Sequence, residues 1–164
     1  MAFVESVAAA AQPWADLYSG SVPVEATVVF MHLAALVVAG GLALASDRAV
    51  VRATHGSAEV REHVLADVAG AHRLVIIGLG ILVVTGALML LADVEALLPS
   101  WVFWLKMAVF GLLLWNGARL RQVAAAQSAD GAADGWRPLR AAAVRSTTLW
   151  LALLLMGTLL PLVA

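Results

Sequence analysis

The sequence predicts an all-α fold: an integral membrane, antiparallel four-helix bundle with both termini on the outer face. Three observations predict it. Hydrophobic residues make up 63% of the chain and charged residues 13%, against about 45–50% and about 25% in an ordinary soluble domain, so the excess apolar surface needs lipid beside it. Four apolar stretches reach the roughly 20 helical residues that a bilayer core requires. The arginines are segregated between these stretches in a way that assigns each connection a side.

Residues 1–164 read as one membrane domain, with spans at about 24–46, 73–92, 101–121 and 141–163 and cytoplasmic loops at 47–72 and 122–140. Helices are required rather than strands because a backbone in lipid must satisfy its own hydrogen bonds. The apolar runs are also continuous and do not alternate as barrel strands do. Arg48, Arg52, Arg61 and Arg73 lie between the first two spans or at their facing ends, and Arg119, Arg121, Arg137, Arg140 and Arg145 between the last two or at theirs. The opposite side carries acids only: Glu5, Asp16, Asp93 and Glu95, with Glu25 at the membrane edge. Cytoplasmic loops collect Lys and Arg, so both loops are placed inside and both termini on the outer face.

The elements follow in order. Residues 1–21 contain no Lys or Arg, which is not the pattern of a secretory signal. Residues 2–12 predict a short Ala-rich helix stopping before Pro13, with Trp14 and Tyr18 at the membrane interface. The first span has Ala35, Ala39 and Ala43 four apart, a small-residue face suited to close helix packing. The first loop is partly helical, with Ser57 as N-cap and Glu59 and Glu62 in the first turns. The second span carries Gly78, Gly80 and Gly86, and the third Gly111 and Gly117. Residues 127–138 read as a turn region with two Asp-Gly pairs. Pro138 suits the first turn of the last helix, and Pro161 falls in its last. Trp101 and Trp104 at one level, with Trp115 and Trp150 at the other, form an aromatic belt; Trp104 and Trp115 are alternatively placed to stack on a cofactor.

Ionisable groups inside a span are costly and mark functional candidates. His32 and Lys106 are the two here. His32 lies about six residues and Lys106 about five residues into spans that begin on the outer side, so they sit at similar depth. Thr85 reaches the same layer from the second span and Thr158 approaches from the fourth, while Glu25 is placed to close it toward the outside. The plainer alternative is that Lys106 extends outward to Asp93, Glu95 or Glu25 and His32 only hydrogen-bonds a neighbouring helix. A second polar cluster (His72, Arg73, Asn116, Arg119, Arg145, Thr147) lies at the inner edge. It suits an anionic lipid, a haem propionate or a partner subunit, or simply anchors the helices.

There are no cysteines, which excludes disulfides, thiolate metal sites and covalent haem attachment. A b-type haem would take His32 and His72 as its obvious axial pair. Their depths differ by roughly 15–20 Å at 1.5 Å per residue, so they would serve separate haems, or His32 would pair with a non-histidine ligand. Thr85, Lys106, Trp104 and Asn116 complete the candidate cofactor-binding set, and His32 is the one candidate metal ligand. Nothing marks an enzyme: the chain has no Ser-centred elbow, no phosphate-binding glycine loop and no pair of histidines one helical turn apart.

The runs MHLAALVVAGGLALASDR, AHRLVIIGLGILVVTGALMLL and FWLKMAVFGLLLWNGARL resemble small bacterial inner-membrane proteins: the copper-resistance D-type and HemJ-type protoporphyrinogen oxidase families and related uncharacterised four- or five-span proteins. The features that carry the resemblance are His32 followed by small residues and an Asp47–Arg48 exit, Thr85–Gly86, and Trp104 with Lys106, across most of residues 22–121. The resemblance implies a bundle that holds b-haem or a metal ion through His32. Three functions follow in order: haem binding for electron transfer or haem handling; a non-catalytic accessory or assembly subunit of a larger membrane complex; and a small-ion transporter. The implied partners are the lipid bilayer and other membrane subunits or copies of the chain itself, not nucleic acid.

Overall fold

A computed structural model describes residues 2–130 and 136–163. Its elements are α1 (Ala2–Gly20), α2 (Val22–Ala53), α3 (Ala58–Ala92), α4 (Val94–Leu97), α5 (Trp101–Asp130) and α6 (Trp136–Val163), and no strand occurs among the described residues. α2, α3, α5 and α6 are each long and apolar enough to cross a membrane. They form an all-α antiparallel bundle, joined by short connections at residues 54–57 and 93–100.

Around the bundle the order is α3, α2, α6, α5. α2 packs along α3, α5 along α6, and α2 along α6, whereas α3 and α5 meet over only a short stretch. The central core is Ala35, Ala39, Leu79, Leu82, Leu113, Trp150 and Leu153. Trp150 is therefore a core side chain and not part of an interfacial belt: it is 5% exposed, and its ring lies over Gly40, where a Cβ would sit 3.3 Å from it. Gly78 makes the closest helix approach, since a Cβ there would lie 2.6 Å from the Ala39 Cβ. The small-residue face of α2 thus meets one glycine of α3 directly. At Gly80, Gly111 and Gly117 an added Cβ would have nothing within 4 Å, so these glycines serve no such contact.

The helices outrun the apolar stretches. α2 continues to Ala53, and α3 begins at Ala58 behind Ser57, whose side chain accepts from the Val60 N–H as the sequence anticipates. The reason is a second core beyond the central one: Val50, Ala53, Val68, Trp136, Leu139 and Ala143 are buried together there. Arg61 closes the turn. Its Nη2 donates to the Thr54 carbonyl at 2.8 Å, at a helix end whose carbonyls lack helical partners, and its Nε to the Ala53 carbonyl at 3.3 Å, which also accepts from the Gly56 N–H. The same guanidinium lies 5.3 Å from the centre of the buried Trp136 ring. α5 runs to Asp130, so the first residues of the expected 127–138 turn are helical; residues 131–135, with most of both Asp-Gly pairs, lie outside the described residues.

At the opposite end α1 does not stop before Pro13 but continues through it to Gly20. Proline costs a helix one hydrogen bond, and tertiary contacts offset that loss. Ala11 is buried, the Trp14 indole N–H donates to the Leu88 carbonyl of α3 at 2.8 Å, and Tyr18 packs on Trp14 with ring centres 5.9 Å apart. Burial, assisted by the Glu25 carboxylate, raises the Tyr18 phenol above its ordinary pKa. Val102, Phe103 and Leu160 form a third small core beneath α4.

Candidate functional site

Two polar sites occupy opposite ends of the bundle. The first joins His32 of α2, Thr85 of α3 and Lys106 of α5. His32 Nδ1 lies 2.8 Å from Thr85 Oγ1. Thr85 is buried, and its hydroxyl donates to the Ile81 carbonyl of its own helix at 2.7 Å. A hydroxyl has one proton and two acceptor lone pairs. With that proton engaged by the backbone, Thr85 Oγ1 accepts from His32, so Nδ1 carries the proton. In the neutral ring the Nε2 lone pair is then free. Gly86, next along α3, leaves the ring room: a Cβ there would lie 3.5 Å from His32 Cε1.

Lys106 reaches into the same layer. Its ammonium lies 4.0 Å from where a Gly157 Cβ would stand on α6, and it acts electrostatically on His32. The alternative of an outward extension to Asp93, Glu95 or Glu25 is not realised, and no ion pair to Lys106 is formed among the described residues. The fourth helix contributes Gly157 and not Thr158, which is exposed and donates to the Leu155 carbonyl of its own helix. Glu25 is exposed and stands near Tyr18 rather than over His32. Trp104 is 58% exposed, donates through Nε1 to the Leu98 carbonyl at 3.0 Å and packs edge-on against Phe103, so it caps the α4 connection outside the layer. Trp115 is likewise outward and carries Arg119 over its ring.

His72 belongs to the other end. Thr85, which His32 touches, and His72 are separated by thirteen residues of the unbroken α3, about 20 Å at 1.5 Å per residue. The depth difference inferred from sequence is thus present in the fold, and the two histidines do not face one iron. His72 lines a cavity of about 260 Å³ with Asp47, Ser46, Ser146 and Arg121, above an apolar wall that includes Leu79 and Leu113. Asp47 is 3% exposed, its Oδ2 accepts from the Thr147 hydroxyl at 3.4 Å, and Ser146 lines the cavity with it. Asn116 is 1% exposed; its Nδ2 donates across to the Ala142 carbonyl of α6 at 2.9 Å, and its Oδ1 has no partner among the described residues. Asn116 is therefore an interhelical tie and not a rim group.

Asp47 is the residue that sequence reasoning placed only in a helix-exit motif. A signal was available: Asp47 is four residues beyond Ala43, on the stripe that runs from His32 through Ala35 and Ala39. No three His, Asp or Glu side chains among the described residues gather as a metal-ion site. Together the fold and these sites define a multi-pass membrane helix bundle with one polar layer inside its closed half. Comparison with family models, with curated proteins and with solved structures finds no match to this chain.

Proposed function

We propose that the chain is a membrane haem-binding protein for electron transfer or haem handling, in which His32 would hold the haem. The observation that carries this reading is the Thr85 hydroxyl, which takes the imidazole N–H and leaves Nε2 as a lone-pair donor held in a fixed orientation. Histidines that bind metal are characteristically oriented by such a bond from the other ring nitrogen. Lys106 is the second nitrogen base at that level; His72 is too far along α3 to share the iron. When bound, the haem supplies one-electron chemistry, while the protein fixes the ligand and excludes water. Topology follows the arginine distribution, with the His32 layer toward the periplasm and the cavity toward the cytoplasm of a bacterial inner membrane.

The visible spectrum tests this. Protein purified in detergent after haem-replete expression is expected to show a Soret band, and His32→Ala to lose it while keeping its helical circular dichroism. A wild-type protein with no Soret band overturns the reading.

A second reading, an accessory subunit of a larger membrane complex, is favoured by one observation. Gly80 and Gly111 offer surfaces with nothing within 4 Å of a Cβ position, and such faces let another helix approach closely. Native gels of membranes at natural expression levels decide it: migration only as a small homo-oligomer argues against a complex.

A further inference from the structure

The cavity near the arginine-rich end is electrically divided. Asp47 and Ser146 stand on its α2–α6 wall, His72 and Arg121 on its α3–α5 wall. Asp47 is buried and held by the Thr147 hydroxyl, and no Lys, Arg or His nitrogen among the described residues pairs with it. A carboxylate sequestered without a counter-charge is costly. Across the cavity stand half-buried His72 and exposed Arg121, nitrogen donors with no acid paired to them among the described residues. A single ligand that meets both walls must carry a cation and an anion.

Access and size narrow the choice. The cavity sits where α3 and α5 part, so it opens sideways between helices and toward the lipid. Asp47 lies in the last two turns of α2, beside Arg48 and Arg52, the depth of a headgroup and not of a bilayer centre. At about 260 Å³ it is just below the range of ~300–1,000 Å³ of small-ligand pockets, which suits a headgroup with its chains outside. Above the polar rim, Leu79 and Leu113 provide a hydrocarbon wall for the start of those chains.

We propose that this cavity is a binding site for an aminophospholipid: the primary ammonium on Asp47, the phosphate on Arg121 and His72, the acyl chains leaving through the α3–α5 seam. A choline headgroup has no N–H to give the carboxylate, and a glycerol headgroup has no cation. Neither meets both walls. The site is separate from the His32 layer and stands whether or not haem binds there.

Native mass spectrometry of the detergent-purified full chain tests it, with short-chain phosphatidylethanolamine, phosphatidylcholine and phosphatidylglycerol at equal concentrations and with phosphoethanolamine lacking chains. Phosphatidylethanolamine is expected to be retained about tenfold better than the other two lipids, the worth of one charge-assisted contact. Phosphoethanolamine alone should bind far more weakly. Asp47→Asn should erase the ethanolamine preference while leaving phosphatidylglycerol retention unchanged, and Arg121→Gln should lower retention of both. Equal retention of the three lipids by the wild-type protein overturns the proposal without reference to any variant. Binding of phosphoethanolamine as tight as that of the lipid also overturns it, by making the ligand a soluble one. A preference that survives Asp47→Asn removes Asp47 from the site and sinks the assignment.

Discussion

α3 has two neighbours in the bundle and meets them in opposite ways. Against α2 the contact is tight: Gly78 admits Ala39, and Thr85 takes the His32 imidazole. Toward α5 the helices part, and the space between them is a cavity lined by His72, Arg121 and Gly117. Glycine is present along both seams, so glycine does not by itself specify close packing. In lipid, helices gain little by hiding apolar surface from each other and associate through close contact and polar pairs. A seam therefore closes where a small residue faces another small residue and a hydrogen bond crosses, and stays open where neither occurs.

The sharpest way to break this comparison is to add one methyl group to each seam. Gly78→Ala places a Cβ where Ala39 already stands, and the obstructing atom is attached directly to backbone. It is expected to cost about 2–3 kcal/mol, the scale of overpacking in a filled core, read as a lowered unfolding midpoint in bicelles. Thr85→Val should come next, at about 1 kcal/mol, because the His32 N–H loses its acceptor inside the bundle. If His32 binds haem as proposed, the same substitution should shift the Soret band without abolishing it, whereas an unshifted band would separate Thr85 from the ligand. Asn116→Ala tests the α5–α6 seam. One interhelical hydrogen bond in a membrane is worth about 0.6 kcal/mol, and the orphan Oδ1 is removed with it, so the loss should stay near that figure. Gly117→Ala should be the smallest, within about 0.5 kcal/mol and in the stabilising direction, since the methyl meets nothing and alanine favours the helix. Equal costs for Gly78→Ala and Gly117→Ala would show that the two seams are not different.

The His32 layer was legible because each of its members interrupts an apolar run. A lone histidine and a lone lysine in spans of known direction can be placed in depth by counting, and Thr85 falls at the same count on the intervening helix. The wrong assignment there concerns azimuth: Thr158 lies at a suitable height but faces away, and Gly157, invisible as a polar candidate, occupies the facing position. The site at the arginine-rich end was less legible. Asp47 and Arg121 lie among charged residues that also read as membrane-edge anchors. Only the continuation of α2 and α5 past the apolar stretches, driven by burial of Val50, Ala53 and Trp136, turns those segments into cavity walls. Pro13 misled for a related reason: local chemistry favours a stop, and packing of Ala11 and Trp14 on the bundle overrules it.

By itself the sequence determined that four helices of this chain suit lipid, where two ionisable groups sit along them, and which end collects arginine. Those properties depend on composition and on distance along the chain, both written in the order of residues. Tertiary structure decided which seam closes, which proton His32 carries, and that Asp47 shares a cavity with His72 and Arg121. These depend on how each helix is rotated about its axis, and rotation is set by the contacts of all neighbours at once and by no single segment.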